Sequence, residues 1–161
     1  MIAVAQPRDR LPTHAVSVVR FERFFRVAAG IDVDKQDLKR YSDFVNQKIY
    51  DLLICGEETA RANRHAAILP FDLPITKGLR ASIREFELLD EEIGFAPILD
   101  HLAARPPLGL RCGEATEALL PAMAGGFSIA IARVFKIIDP DLKSPRTEHW
   151  QRAFGIFEIL Q

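Results

Sequence analysis

The chain has 161 residues, of which 48% are hydrophobic, 27% are charged and 9% are aromatic. This is the composition of one ordinary globular domain, and it excludes disordered, collagen-like and disulfide-scaffold chains. The formal net charge is −1, from 21 Lys and Arg against 22 Asp and Glu, and this balance excludes a strongly basic nucleic-acid binder.

The sequence carries no feature of secretion or of membrane insertion. Two cysteines, Cys55 and Cys112, are too few for a disulfide framework, and we expect free thiols in a reducing cytoplasm. The N-terminus lacks a basic segment followed by an apolar stretch, so no secretory signal is predicted. The longest apolar run, 118–132, is shorter than the about 20 residues that a membrane-spanning helix needs. We therefore predict a cytoplasmic protein without a membrane partner, with this run as a buried core helix.

Residues 1–17 are predicted to form a flexible N-terminal arm, because two prolines interrupt them and no apolar periodicity appears. A first helix is predicted over 18–29, where phenylalanines recur at helical spacing and Gly30 follows as a typical helix end. The segment 31–33 then alternates apolar and polar residues, as a short extended piece does.

Asp34 is predicted to cap a long second helix that runs to Asn63, with Asp37 completing a capping box. Apolar residues recur in this stretch at spacings of three and four, and no Pro interrupts them. A helix of about 30 residues is about 45 Å long, so it needs partners along most of its length. After an extended connector, Asp72 and Pro74 are predicted to start a third helix that continues to about residue 92.

The second part of the chain repeats this order of elements. A short helix is predicted over 97–102, and a second long helix is predicted over roughly 113–138. Ser144-Pro145 is a strong start signal for a final helix. The chain therefore divides into a first half, 18–92, and a second half, 93–161, which together make one compact all-α domain.

The two long helices differ in the size of their side chains. The first carries large residues, among them Tyr41 and Phe44, whereas the second carries many Ala residues and the pair Gly125-Gly126. Because glycine in a helix interior costs about 1 kcal/mol relative to alanine, this pair needs a packing reason. We predict that the two long helices cross near their middles, at the glycine pair.

The order of short, long and short helices with extended loops resembles the histone fold. Residues 21–30 resemble the first histone helix with its glycine, and residues 70–75 resemble the start of the third helix, where an Asp is usual. Two such units in one chain resemble a bacterial histone-fold pseudodimer. Similarity to a small bacterial domain-of-unknown-function family of that fold is carried by segments 28–35, 50–53, 72–79 and 145–149.

The resemblance implies two tandem histone folds packed as an intramolecular handshake, in which each first loop lies beside the second loop of the other half. In DNA-binding histones such paired loops face phosphates. The DNA-binding candidates that follow are Lys35, Lys143 and Arg146 in one loop pair and Arg64, His65, Arg105 and Arg111 in the other. No base-reading motif is visible, so we expect weak, sequence-independent binding and, if it occurs, association with the nucleoid.

Two features depart from the histone pattern. Three carboxylates stand beside Lys35 in the first loop, and they repel phosphate. Histones also pair an Arg in the second loop with the Asp that opens the third helix, and here the corresponding position holds His65. A loop clamp between His65 and Asp72 is therefore the candidate, with Arg61 or Arg64 as alternatives to the histidine.

Assembly with another protein, or with a second copy of the chain, is the alternative function. The last helix has apolar residues on several sides, and an exposed remainder would pair chains. The candidates for self-association are Trp150, Phe154 and Phe157. The other interpretation of these residues is simple core packing.

No catalytic residue, metal site or cofactor is predicted. The sequence has no His-Glu-x-x-His, Cys-x-x-Cys, Gly-rich phosphate loop or Gly-x-Ser-x-Gly motif. Adjacent acid–histidine pairs such as Asp100-His101 point about 100° apart on a helix, so they do not converge on one metal ion. We expect a non-enzymatic module: a continuous basic ridge would favour double-stranded DNA as its partner, and an exposed apolar patch on the last helix would favour assembly.

Overall fold

Five α-helices and one 3-10 turn make up the part of the chain that the structure, a computed structural model, describes: residues 13–94 and 108–160. In chain order they are α1 (Thr13–Ala29), α2 (Lys35–Ala62), the 3-10 turn (Pro70–Asp72), α3 (Lys77–Ile93), α4 (Glu114–Ile138) and α5 (Thr147–Leu160). The all-α prediction is confirmed for these residues. The short helix predicted over 97–102 lies outside them, as do residues 1–12 of the predicted arm.

The two long helices lie where the sequence predicts them. α2 begins after Asp34, whose carboxylate accepts hydrogen bonds from the N–H groups of Gln36 (2.8 Å) and Asp37 (3.0 Å). Asp37 Oδ2 in turn accepts from the Asp34 N–H at 3.1 Å, which completes the predicted capping box. α4 differs from its predicted bounds by one residue at its start.

α1 and α5 begin at other residues than predicted. α1 starts at Thr13, so the last part of the predicted arm is helical. α5 starts at Thr147, two residues after the Pro145 that the sequence places in its first turn. The Arg146 N–H donates to His149 Nδ1 at 2.9 Å, and the Arg146 carbonyl accepts from the His149 N–H, so the first helical hydrogen bonds form here.

α3 also begins later than predicted, because Thr76 and not Asp72 caps it. Thr76 Oγ1 accepts from the Leu79 N–H at 3.1 Å. The Asp72 carboxylate instead holds the 3-10 turn by accepting from the Leu69 N–H at 2.8 Å. Pro74 therefore precedes the helix and does not lie in its first turn.

The aromatic residues of α1 fill the centre of the core. Phe25 contacts Tyr41 of α2 and Trp150 of α5, with ring centroids 5.7 Å and 6.1 Å apart. Phe24 contacts Phe86 of α3 at 6.0 Å. All five side chains are buried. A single core therefore holds the first-half helices and α5 together.

The glycine pair of α4 packs against α3, which corrects the prediction that it marks the crossing with α2. A methyl group on Gly125 would overlap the Phe86 ring, and one on Gly126 would lie 2.6 Å from the side chain of Ile83, far below van der Waals contact. The close approach of α3 is therefore the packing reason for the two glycines.

α4 is a strongly apolar helix in the middle of the fold. By length and composition alone it is able to cross a membrane, but most of its apolar stretch is buried against the other helices. α2 contacts it where the hydroxyls of Tyr41 and Ser128 share a buried hydrogen bond, and burial raises the pKa of Tyr41. The predicted buried core helix is confirmed.

Candidate nucleic-acid interface

Two pairs of loops lie side by side at the two ends of α2. The first loop pair consists of residues 30–34 and 139–146, and the second loop pair consists of residues 63–76 and 108–113. In the first pair the Asp32 N–H donates to the Lys143 carbonyl at 2.6 Å. Each pair joins one loop of the first half to one loop of the second half, so the start of each long helix lies near the end of the other.

The second loop pair is held by a short parallel β-bridge between Ile68 and Cys112. The Ile68 N–H donates to the Arg111 carbonyl, and the Gly113 N–H donates to the Ile68 carbonyl, both at 2.9 Å. The buried Thr116 hydroxyl donates to the same Ile68 carbonyl at 2.7 Å. These bonds fix the backbone of Arg111 against the loop that follows α2.

His65 and Asp72, the candidate loop clamp, are in contact. His65 Nδ1 lies 2.9 Å from Asp72 Oδ2 and 3.0 Å from Oδ1. The Asp72 side chain is only 1% exposed. Burial alone would raise the pKa of Asp72, but the hydrogen bonds from His65 and the Leu69 N–H outweigh it and lower that pKa below its usual value. The carboxylate is therefore ionised, buried and fully engaged within the loop.

Two arginines of the second loop pair are exposed. Arg64 lies just past the end of α2 in the left-handed conformation, with φ of 59°, and Arg111 lies beside the β-bridge. Among the residues that the structure describes, neither forms an ion pair with a carboxylate. Arg105, the third arginine expected here, lies outside the described residues.

The carboxylate of Glu57, near the end of α2, is neutralised within the molecule. It accepts from Arg61 Nη2 at 2.9 Å and from the Gly109 N–H at 3.2 Å, which also ties α2 to the loop before α4. Because Arg61 is bound to Glu57, it does not replace His65 in the clamp. Both of these carboxylates of the second loop region, Glu57 and Asp72, are thus occupied.

Phe71 is a candidate contact residue that sequence reasoning missed. It lies in the 3-10 turn of the second loop pair, and it is 93% exposed. Pro70 restricts the backbone on one side, and the clamped Asp72 holds it on the other. A large apolar ring held in solvent by a rigid turn is unusual for a monomer and offers contact area to a partner. In the sequence, only its position in a loop between two predicted helices indicated that Phe71 is exposed.

The first loop pair presents both signs of charge. Lys143 and Arg146 are exposed there, and so is Lys35, which directly follows the loop as the first residue of α2. The same two loops also carry the carboxylates of Asp32, Asp34, Asp139 and Asp141. Asp32 is paired with Arg26 of α1 at 3.3 Å, but this pair is itself exposed. Interspersed carboxylates weaken the attraction of this loop pair for a polyanion.

The self-association candidates of α5 pack inside the fold, which corrects that prediction. Trp150 is fully buried and contacts Phe25. Phe157 is buried, and Phe154 stacks on Phe44 of α2 with ring centroids 4.3 Å apart. The apolar periodicity of α5 therefore marks the face that it buries against α2 and the core, not a free surface.

Among the described residues, no group of three or more His, Cys, Asp or Glu side chains is placed to hold a metal ion. Cys55 is exposed and Cys112 is half-buried, and no disulfide joins them. Two cavities of about 270 and 390 Å³ lie beside the end of α5 and share Thr76 and Leu160 in their walls. Neither cavity includes a DNA-binding candidate.

The chain is similar to proteins of Aquifex aeolicus and Thermus thermophilus. An uncharacterized protein of Aquifex aeolicus (strain VF5) is 26% identical over 127 residues, which are 79% of this chain and 74% of that protein. The crystal structure of a Thermus thermophilus protein matches with a TM-score of 0.81 and 50% identity, covering 89% of this chain and 97% of the other. A 1.9 Å crystal structure of an Aquifex aeolicus protein matches in fold, with a TM-score of 0.80 and 23% identity over 90% and 95% of the two chains.

A family model also matches this chain, and it covers all of the core described above. The model is that of the Domain of unknown function (DUF1931), and it matches residues 21–158, from within α1 almost to the end of α5. With half of the aligned residues identical to the Thermus thermophilus protein, this match shows that the chain belongs to the DUF1931 family.

Proposed function

We propose that this protein is a histone-fold pseudodimer whose second loop pair binds the phosphate backbone of double-stranded DNA. The fold is supported by the arrangement of the loops, because each pair takes one loop from each half, as the handshake of a histone dimer does. The resemblance of segments 21–30 and 70–75 to the first helix and the third-helix start of histones points the same way. In such folds the paired loops are the surface that faces phosphates.

The observation that carries the proposal is the difference in charge between the two loop pairs. In the second pair, Arg64 and Arg111 are exposed, whereas the carboxylates of Glu57 and Asp72 are occupied inside the molecule. In the first pair, carboxylates are exposed among the basic residues. Since phosphate contacts gain affinity from the release of counterions, exposed cations whose neighbouring loop carboxylates are occupied are the favourable arrangement. The exposed Glu114, the first residue of α4, is the nearest remaining carboxylate to Arg111 in the sequence.

The same geometry limits how tightly and how selectively DNA would bind. Two arginines neutralise few phosphates, so the binding is weak and disappears as salt rises. Contacts with phosphate carry no sequence information, so the binding tolerates any base sequence. Phe71 adds an apolar surface next to the clamp, suited to the sugar edge of the duplex.

Fluorescence anisotropy of a labelled duplex, measured from low to physiological salt, tests the proposal. The variant R64A/R111A is expected to weaken binding and to reduce the slope of log affinity against log salt by about 2, since each lost phosphate contact contributes about 0.9. The matched control, K35A/K143A, removes the same charge from the first loop pair and should bind like the wild type. Absence of binding at low salt, or equal effects of the two variants, would contradict the proposal.

The proposal assigns the protein no catalytic residue, metal or cofactor, and it places the protein in the cytoplasm with the nucleoid. A second candidate function is assembly. It is favoured by the exposed face of α3, whose charges are separate from both loop pairs.

A further inference from the structure

The exposed face of α3 carries a regular pattern that neither loop pair uses. The outermost positions recur at spacings of three and four residues, as one stripe of a helix does, and are Lys77, Ala81, Arg84, Leu88 and Glu91. The opposite stripe, with Leu79, Ile83 and Phe86, is buried. Leu88 is 71% exposed although it is a large apolar residue. We call the exposed stripe and its flanking residues the outer face of α3.

The two halves of the outer face have opposite charge. The N-terminal half carries Lys77, Arg80 and Arg84, and the C-terminal half carries Glu87, Glu91 and Glu92. All six residues are exposed. Within residues 13–94 and 108–160, none of them takes part in an ion pair; the one ion pair of α3 there joins Glu85 to Arg133.

Within a single molecule this arrangement is unfavourable. Arg80 and Arg84 are like charges four residues apart, and so are Glu87 and Glu91, so the two members of each pair repel each other on the helix surface. Among the six charged residues, Arg84 and Glu87 are the one pair of opposite charge at such a spacing. The first turn of α3 has no acidic residue and its last turn has no basic residue, so neither end has the charge that the helix dipole favours. A partner with the reverse order of charges would relieve both conditions.

We infer that the outer face of α3 pairs with the same face of a second copy, with the two helices antiparallel. A two-fold contact brings one surface against itself, so it needs a surface that is complementary to itself. With the centre of the contact between residues 84 and 85, Lys77 lies opposite Glu92 of the second copy, and Ala81 lies opposite Leu88. The basic half of each copy then faces the acidic half of the other, and the small Ala81 leaves room for the larger leucine.

The charge order also argues against other occupants of this face. A nucleic acid that approached the basic half would meet the carboxylates of Glu87 and Glu91 on the same helix. An unrelated protein would need an acidic segment opposite the basic half and a basic segment opposite the acidic half. A second copy in the antiparallel orientation has this order of charges by symmetry. Because ion pairs at an exposed contact contribute little each, the dimer is expected to be weak and to dissociate as salt rises.

Sedimentation velocity of the full chain at low ionic strength tests the inference. The variants R80E/R84E and E87K/E91K are each expected to weaken the dimer at least tenfold, because each puts like charges on both sides of the contact. An equimolar mixture of the two should form a heterodimer as tight as the wild-type dimer, since both halves of the contact are then attractive again. The variant L88S should also weaken the dimer.

Two matched controls separate the outer face from general effects of charge and apolarity. K39E/R152E reverses two exposed basic residues on α2 and α5, and L160S removes an exposed leucine from the end of α5; neither should change the dimer. Circular dichroism checks that every variant is folded. A wild type that stays monomeric at the highest concentration, or a mixture that does not associate, would overturn the inference. So would R80E/R84E lowering DNA affinity without changing the mass.

Discussion

The ammonium group of Lys48 in α2 lies 2.9 Å from the carboxylate of Glu158 near the end of α5. The Lys48 side chain is 2% exposed, whereas that of Glu158 is 68% exposed. The same ammonium lies 3.6 Å from the Asp51 carboxylate and 5.8 Å from the centre of the Phe44 ring. A cation buried along its stem therefore holds the end of α5 against the middle of α2.

Glu158→Gln is expected to lower the free energy of unfolding by roughly 0.5–1 kcal/mol, because the pair is half-exposed and solvent screens it. Lys48→Met keeps the apolar stem and removes the buried charge, so it should be neutral or slightly stabilising. Urea unfolding of both variants measures the difference. A Lys48→Met variant less stable than Glu158→Gln would show that the ion pair contributes more to the free energy of unfolding than expected for a half-exposed pair.

Gly125→Ala is expected to destabilise the protein by about 1–3 kcal/mol, the usual cost of overpacking a core. The added methyl group would overlap the ring of Phe86, so α3 would have to move away from α4. Gly155→Ala is the matched control, because nothing lies within 4 Å of a methyl group there and α5 gains helix propensity. Thermal unfolding should therefore shift in opposite directions for the two variants, and a shift in the same direction would contradict the packing described here.

Asp72→Asn is expected to reduce the decrease in the free energy of unfolding that occurs as the pH is lowered. Burial would raise the pKa of Asp72, but the bonds from His65 and Leu69 prevail, so its pKa in the folded protein lies below the usual 3.8. The contribution of this carboxylate is present above pH 3.8 and is lost as the pH falls through the folded pKa. The variant should be less stable at neutral pH and should lose less stability on acidification, as urea unfolding at several pH values would measure.

Asp37→Asn is the control for that experiment. Burial is the main cause that raises the pKa of Asp37, so the folded protein holds this proton more tightly than the unfolded chain does. Its contribution to stability therefore declines as the pH rises from 3.8 through the folded pKa, the reverse of Asp72. If Asp37→Asn also reduced the loss of unfolding free energy at low pH, as Asp72→Asn is expected to do, that loss could not be assigned to the His65–Asp72 clamp.

Phe71→Ser should leave the free energy of unfolding within about 0.5 kcal/mol of the wild type, because the ring buries almost nothing. Under the proposed function it should weaken DNA binding several-fold while leaving the salt slope unchanged, since no charge is lost. Ile159→Ser, at another exposed apolar position, should change neither property. Fluorescence anisotropy with labelled DNA and urea unfolding, both measured on the wild type and the two variants, test whether Phe71 contributes to DNA binding and not to stability.

The helical architecture could be predicted from the sequence because its signals are local. Asp34 and Asp37 form the expected capping box, and the apolar run of α4 is buried as expected. The His65–Asp72 contact was predicted through the resemblance to histones, which pair a residue of the second loop with the Asp that opens the third helix.

Features that depend on the relative placement of helices could not be predicted in this way. Small residues show that something approaches α4 closely, but not that the neighbour is α3 and not α2. The apolar stripe of α5 is the same whether a partner or the core covers it, so Trp150 was open to both interpretations. The exposure of Phe71 follows from the 3-10 turn around it, which no periodicity marks.

The unequal loop pairs determine how many duplexes one molecule is able to hold. In a dimer of identical histone chains, both ends of the handshake are the same and both bind. In this single chain, one end has exposed arginines and the other has interspersed carboxylates, so the proposed function gives the monomer a valence of one. Such a monomer would bind one duplex at a time and would not bridge two duplexes. Only two copies joined through α3 would be able to tether separate DNA segments.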